Sequence, residues 1–161
     1  MAKAGGSAGK KAAKKGLWKK GRGKLGVLEP LLGSWTARSD SPMGPVTCTR
    51  TLTRTLGDAY LELRAEWKFA KGSYLETALI GVRADGRVGF WSFTSDGKHS
   101  EGVLADVTDV HPEAVGFVAA MPAGRARMVY WPEEAGGFRW AVESRNKKGW
   151  RRFTEHHYTA G

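Results

Sequence analysis

Residues 59–69 read Ala59-Tyr60-Leu61-Glu62-Leu63-Arg64-Ala65-Glu66-Trp67-Lys68-Phe69. Ala59, Leu61, Leu63, Ala65, Trp67 and Phe69 alternate without a break with Tyr60, Glu62, Arg64, Glu66 and Lys68. A helix would scatter these apolar side chains around its surface, whereas a strand sorts them onto one face. The opposite face, with acids and bases interleaved, reads as a solvated surface of cross-paired charges rather than an acid–base dyad. This stretch is therefore a strand with one wet side and one dry side.

The same rhythm recurs on both sides of it. Phe138, Trp140 and Val142 alternate with Arg139, Ala141 and Glu143, and Val115, Phe117, Ala119 and Met121 line one side of another segment. Turn chemistry separates such segments at 39–45, 56–58, 70–72, 84–86, 95–98, 107–113, 122–124, 132–137 and 146–149. Most of these breaks hold a Gly suited to positive φ or a Pro that presets a turn. Ala84-Asp85-Gly86-Arg87 and Ser95-Asp96-Gly97-Lys98 each contain the Asp-Gly pair favoured in tight hairpins.

Nine breaks imply ten strands. Consecutive hairpin-linked strands must hide two sheet edges, and closing the sheet removes both. A two-sheet sandwich needs longer crossovers than these turns provide. The expected fold is all-β: an antiparallel up-and-down barrel of about ten strands over residues 27–161. A barrel wider than about eight strands is hard to fill with its own side chains, so a cavity is expected. Only Leu25 to Leu32 lacks alternation. Leu28, Leu31 and Leu32, at helical spacing, predict a short N-terminal helix serving as lid or plug.

The 161 residues form a one-domain chain, with 41% hydrophobic residues and seven Trp to build a core. Its net charge of +10 is unevenly spread. Lys3, Lys10, Lys11, Lys14, Lys15, Lys19, Lys20, Arg22 and Lys24 all precede the first acid, Glu29, which leaves 17 basic against 16 acidic residues beyond them. The basicity thus belongs to a Lys/Gly/Ala-rich tail, residues 1–26, expected to be disordered because Leu17 and Trp18 are the only large apolar side chains as far as Lys24. Weak, salt-sensitive polyanion contact through residues 1–24 is the partner this tail implies. It lacks the apolar run of about 7–15 residues that marks a secretory signal. No segment approaches the roughly 20 apolar residues of a membrane span. The single cysteine, Cys48, excludes an internal disulfide and suits a reducing compartment, so a cytoplasmic location is expected.

Leu32-Gly33-Ser34-Trp35, opening the first strand, resembles the Gly-x-Trp signature of the calycins, which include lipocalins and fatty-acid-binding proteins. In that superfamily the Trp packs across the closed end of the barrel against a late-strand basic residue. The resemblance implies Gly33 and Trp35 at the barrel end, with Arg151 or Arg152 as partner. Leu31 to Trp35, Gly86 to Phe93 and Phe153 to Tyr158 together resemble an uncharacterised bacterial family of calycin-like proteins. That resemblance speaks to fold rather than function.

The last strand offers chemistry. His156 and Tyr158, two apart, share a face, while His157 points the other way beside Glu155. Fatty-acid-binding proteins place a basic residue and a Tyr at this spacing to hold a carboxylate. By resemblance, His156 and Tyr158, with Arg152 on the same face, would anchor an acidic or carbonyl headgroup. Trp67, Trp91, Met128 and Trp140 are expected to wall the cavity. The inward register of 74–82 and of 87–94 stays open, so either Phe90 or Trp91 faces inside.

Nitrobindin, a ten-strand barrel that binds haem through a C-terminal histidine, is similar in outline and would assign an axial ligand to His156 or His157. The chain departs from it after Trp35, where Thr36-Ala37-Arg38-Ser39-Asp40-Ser41-Pro42 replaces a glycine-alternating run. His99, His111, His156 and His157 do not form a zinc-type ligand set, because adjacent histidines on one strand face opposite ways. No Gly-x-Ser-x-Gly elbow, His-Glu-x-x-His or phosphate-cradling Gly loop occurs. The expected function is binding of a small hydrophobic molecule without transforming it and without a cofactor. Haem binding and tail-mediated polyanion binding are the alternatives.

Overall fold

A computed structural model describes residues 16–161 of the chain. A 3-10 helix, Lys24–Leu31, leads into ten strands: β1 (Gly33–Ser41), β2 (Gly44–Thr55), β3 (Tyr60–Phe69), β4 (Gly72–Val82), β5 (Val88–Thr94), β6 (His99–Ala105), β7 (Val115–Met121), β8 (Gly124–Pro132), β9 (Phe138–Asn146) and β10 (Gly149–Ala160). Every strand pairs antiparallel with its chain neighbours, and β10 closes on β1 through Trp35–Ala160 and Thr36–Thr159. The expected ten-strand closed antiparallel barrel is the fold observed. The first break is narrower than the sequence suggested. Ser39, Asp40 and Ser41 pair with Val46, Pro45 and Gly44, leaving a two-residue turn.

The alternation of residues 59–69 decides which side faces in. Leu61, Leu63 and Ala65 are buried in the interior, and Glu62 and Arg64 bond to each other outside. Strand β2 repeats the pattern with threonines. Thr47, Thr49, Thr51 and Thr53 face out, while Val46, Cys48, Arg50 and Leu52 are buried within.

The 3-10 helix plugs one end. Three residues per turn stack Leu25, Leu28 and Leu31 on one face, and Leu28 and Leu31 are buried against the barrel interior. The α-helical spacing read from the leucines is thus replaced by the tighter period, with Pro30 unable to donate a backbone hydrogen bond. Gly33 then turns the chain into β1 with φ 117°, a left-handed value that favours glycine. The Trp35 indole N–H donates to the Leu31 carbonyl (2.9 Å) and its ring meets Phe138 edge-on, so Gly33 and Trp35 do sit at the plugged end.

A second small core lies outside the barrel. The β6–β7 connection folds back so that Val107 and Val110 pack on Val129, Trp131 and Ala141 of β8 and β9. Arg127 fastens it with two hydrogen bonds to Asp109 (2.9 and 2.7 Å) and one to Glu143 (2.7 Å).

The tail expectation is revised for its described part. The Leu17 and Trp18 backbone N–H groups donate to the Glu113 carboxylate (3.0 and 2.9 Å), Trp18 packs on the core, and Lys24 Nζ donates to the Gly86 carbonyl (2.6 Å). Residues 16–26 are therefore laid against the barrel, because one carboxylate satisfies two backbone donors beside a half-buried indole. The disorder and polyanion contact expected of residues 1–15 lie outside the described residues. No helix among the described residues is long and apolar enough to cross a membrane.

Candidate functional site

The two ends of the barrel differ. At the plugged end Leu28, Leu31, Trp35, Leu52, Leu63, Ile80, Phe117 and Phe138 leave a void of about 10 Å³, room for at most one water. At the other end, near the β5–β6 and β7–β8 hairpins, a chamber of about 430 Å³ opens to solvent. Its walls include Trp67, Phe90, Phe117, Met128, Trp140 and Val142, with Glu76 and Ser92 among them and Lys98 and His99 at the mouth. A neighbouring chamber of about 300 Å³ shares Trp67, Phe153 and Thr154 with it and carries His156 on its wall.

Between the filled half and the open half stands Arg50, only 2% exposed. Its guanidinium carbon lies 4.7 Å from the ring centre of Trp140, 5.5 Å from Tyr130, 5.9 Å from Tyr158 and 6.0 Å from Trp67. Four negative ring faces at this range stabilise a desolvated cation. Nη2 donates to the Tyr130 hydroxyl (3.0 Å) and approaches the Met128 sulfur (3.6 Å), while Glu76 Oε1 stands 3.8 Å away. The other Glu76 oxygen accepts the Ser92 hydroxyl at 2.6 Å. Burial works against the Arg50 charge, but Tyr130, Tyr158 and Glu76 outweigh it and hold the pKa above its ordinary value.

Several buried polar atoms around Arg50 have no hydrogen-bond partner: its own Nε and Nη1, Trp140 Nε1, His156 Nδ1 and Tyr158 Oη. Burial pushes the Tyr158 hydroxyl up to about 12 and the Cys48 thiol up to about 11, so both stay protonated at neutral pH. Burial, then the charge of Arg50, lowers the His156 pKa and keeps its imidazole neutral at pH 7. The Trp140 ring lies 5.3 Å from that of His156, and Phe138 stacks on Tyr158 at 5.3 Å. Gly137 permits this last approach: with φ 69°, a Cβ there would stand 2.0 Å from the Tyr158 carbonyl oxygen.

The structure thus brings together Trp67, Met128, Trp140, His156 and Tyr158 on the inner face. It separates the other candidates from them. In β5 the inward residues are Val88, Phe90 and Ser92, so Trp91 faces out, where its ring lies 6.4 Å from that of Tyr60. Arg152 is also outside. Arg152 pairs with Glu143 but Thr154 pairs with Val142, so Phe153 is an extra residue that inverts the alternation of β10. Arg152 therefore bonds Glu143 (3.0 Å) and Glu155 (2.5 Å) over the Trp131 ring instead of joining His156.

Arg151 does not reach Trp35. Trp35 pairs with Ala160, roughly 30 Å along β10 from Arg151 at 3.3 Å per residue. The interior basic residue beside Trp35 is Arg50, its register partner on β2. His157 points outward, its Nε2 2.9 Å from the Gly136 carbonyl oxygen.

Arg50 and Glu76 are the interior charge pair that the sequence alone did not single out. The signal for Arg50 was present: in Val46-Thr47-Cys48-Thr49-Arg50-Thr51-Leu52 it occupies the apolar phase of a strict alternation. No group of three or more His, Cys, Asp or Glu among the described residues could hold a metal ion. No protein-family model matches this chain, and no curated protein matches it significantly.

Proposed function

We propose that the barrel is a container for a small, largely apolar molecule, taken up through its open end and held without being transformed. The carrying observation is the chamber of about 430 Å³, walled mainly by aromatic and aliphatic side chains, with Glu76 and Ser92 among them and Lys98 and His99 at its mouth. Its size falls within the ordinary range of ligand pockets, and a few polar groups at one end of an apolar wall are the usual means of orienting a ligand. The plugged end, with Gly33 setting the turn and Trp35 beneath the helix, supports the likeness to calycins. Mass spectrometry of an organic extract of purified protein tests the reading directly. A stoichiometric apolar compound is expected, and titrating one into emptied protein should quench Trp67 and Trp140. Neither extractable compound nor saturable quenching by any apolar probe would overturn it.

A second reading, haem binding, is favoured by one observation. His156 faces inward as a neutral imidazole with Nδ1 unpartnered, as a metal ligand requires, whereas His157 is turned away. A bound haem would supply redox and small-gas chemistry of its own. Haem titration should then give a Soret shift that His156→Ala removes and His157→Ala leaves. An unshifted spectrum eliminates this reading without touching the first.

A further inference from the structure

The charges of the barrel are sorted by end. Beyond Lys24 the chain is nearly balanced, with 17 basic against 16 acidic residues. In an up-and-down barrel the odd-to-even hairpins all lie at one end, here the open one. There the β3–β4 hairpin carries Lys68 and Lys71, the β7–β8 hairpin Arg125, and the β9–β10 hairpin Arg145, Lys147, Lys148 and Arg151, all exposed. The acids of these hairpins are Asp40 and Asp96, and Asp96 is paired with Lys98. The plugged end is acidic, with Asp106, Asp109 and Glu113 after β6 and Glu133 and Glu134 after β8. The described part of the basic tail lies at that acidic end, on Glu113 and Gly86. The open rim is therefore basic independently of the tail.

Apolar side chains are exposed among these cations. Met43 in the β1–β2 turn is 72% exposed, Met121 is 42% exposed and Phe153 is 62% exposed. Phe153 is the extra residue of the β10 bulge, a device that re-aims a side chain, and it stands at the mouth of both chambers. Met43 and Phe69 flank a further surface groove beside Lys71. Such side chains gain free energy when an interface removes them from water. A nucleic-acid backbone would engage the cations and leave Met43 and Met121 in water. An anionic bilayer engages both sets at once, its headgroups with Lys and Arg and its acyl boundary with Met and Phe.

We propose that the open end of the barrel docks on an anionic membrane surface. Met43, Met121 and Phe153 enter the boundary between headgroups and acyl chains, and the lysines of the β3–β4 and β9–β10 hairpins meet the headgroup phosphates. Docked in this way, the chamber mouth faces the bilayer. The proposal goes beyond the container reading, since an empty barrel would dock equally.

The test uses the full chain and vesicles of phosphatidylcholine with or without phosphatidylglycerol. An environment-sensitive thiol dye is attached to Met43→Cys at the open rim or to Leu56→Cys, in the exposed β2–β3 turn at the plugged end. Cys48 is buried, and the unaltered protein controls for its labelling. The rim dye should shift to the blue with anionic vesicles but not with phosphatidylcholine alone, while the Leu56→Cys dye stays unshifted. In sedimentation, Lys147→Glu with Lys148→Glu should lower partition at least about tenfold, since each cation near an anionic surface counts for about fivefold. Both residues are exposed in a turn, so reversing their charge spares the core. Phe153→Ser should lower partition severalfold. A shift of the Leu56→Cys dye in place of the rim dye would assign docking to the tail and overturn the proposal. So would no binding to anionic vesicles, or binding that the two lysine reversals leave intact. Tighter binding to duplex DNA than to anionic vesicles would make the rim a nucleic-acid surface and overturn it as well. None of these results bears on the container reading, which extraction and quenching test separately.

Discussion

Arg50 and Glu76 lie in one lateral row of the barrel wall, separated by Ala65, with their charged groups 3.8 Å apart on its inner face. Arg50 is buried and Glu76 partly buried, with no hydrogen bond between them. Arg50→Met leaves the Glu76 carboxylate without its counter-charge and Glu76→Ala does the same to the guanidinium, so urea unfolding of ligand-free protein should show each single change to cost about 3 kcal/mol. Arg50→Met combined with Glu76→Gln removes both charges and should cost less than the two single changes together. Simple additivity would show that the two charges do not act as a pair.

Cys48 should resist modification in the native state. It is fully buried, and burial pushes its thiol up to about 11, against the smaller opposing effects of the Tyr158 hydroxyl and Arg50. A disulfide reagent at pH 8 is expected to react only as fast as the barrel opens, and at the rate of a free thiol in denaturant. Rapid labelling of folded protein would contradict this burial.

His156 should make stability depend on pH below about 6.5, the ordinary histidine value. Its folded pKa is lowered, so as pH falls through that value the unfolded chain takes up a proton that the folded chain refuses. Stability is thus complete above this value and declines as pH falls toward the folded pKa. Between about pH 7.5 and about pH 5.5 the unaltered protein should lose more Tm than His156→Gln does. Asp109 and Glu113, whose pKa values are lowered by Arg127 and by the Trp18 and Leu17 backbone N–H groups, titrate below this window. Parallel curves for the two proteins would show that His156 is not held neutral.

Leu28 holds the plug. Leu28→Ala removes a fully buried side chain from the filled end and should cost about 2–5 kcal/mol, measured by denaturant unfolding. Because the open chamber lies beyond Arg50, binding of an apolar probe there should survive. Loss of that binding at full stability would place the ligand at the plugged end.

Arg127 holds the external loop. Arg127→Ala should speed hydrogen exchange at the Val110 and Ala114 amides, which bond the Val107 and His111 carbonyls, while interior strand amides stay protected. Uniform acceleration across all strands would instead make this ion network part of the barrel's global stability.

The strand alternation at 59–69 and the placement of the nine turns were legible because both are local properties: side-chain period and turn chemistry act within a few residues. The inward placement of Trp67, Trp140, His156 and Tyr158 followed from the same period. Arg50 was legible in principle, since the threonines of β2 assign it to the dry face, but a charged residue in an apolar phase is easily read as a surface residue. Trp91 was undecidable because β5 carries large apolar side chains in both phases, and only pairing with β4 and β6 selects Phe90. Arg152 was misplaced because a bulge leaves no mark on composition; the extra residue, Phe153, shows itself only when two strands are laid side by side.

The sequence by itself determined that this chain makes a closed antiparallel barrel, since ten alternating segments with short turns have no other economical way to hide their edges. Only the tertiary structure decided what the barrel contains. Arg50 and Glu76 stand 26 positions apart in the chain, and Tyr130, Trp140 and Tyr158 are farther still, yet all meet within a few ångströms across the interior. Distances across a barrel depend on strand register and closure, which no local pattern encodes. The charge pair in the barrel interior is therefore a property of the closed sheet rather than of any one strand.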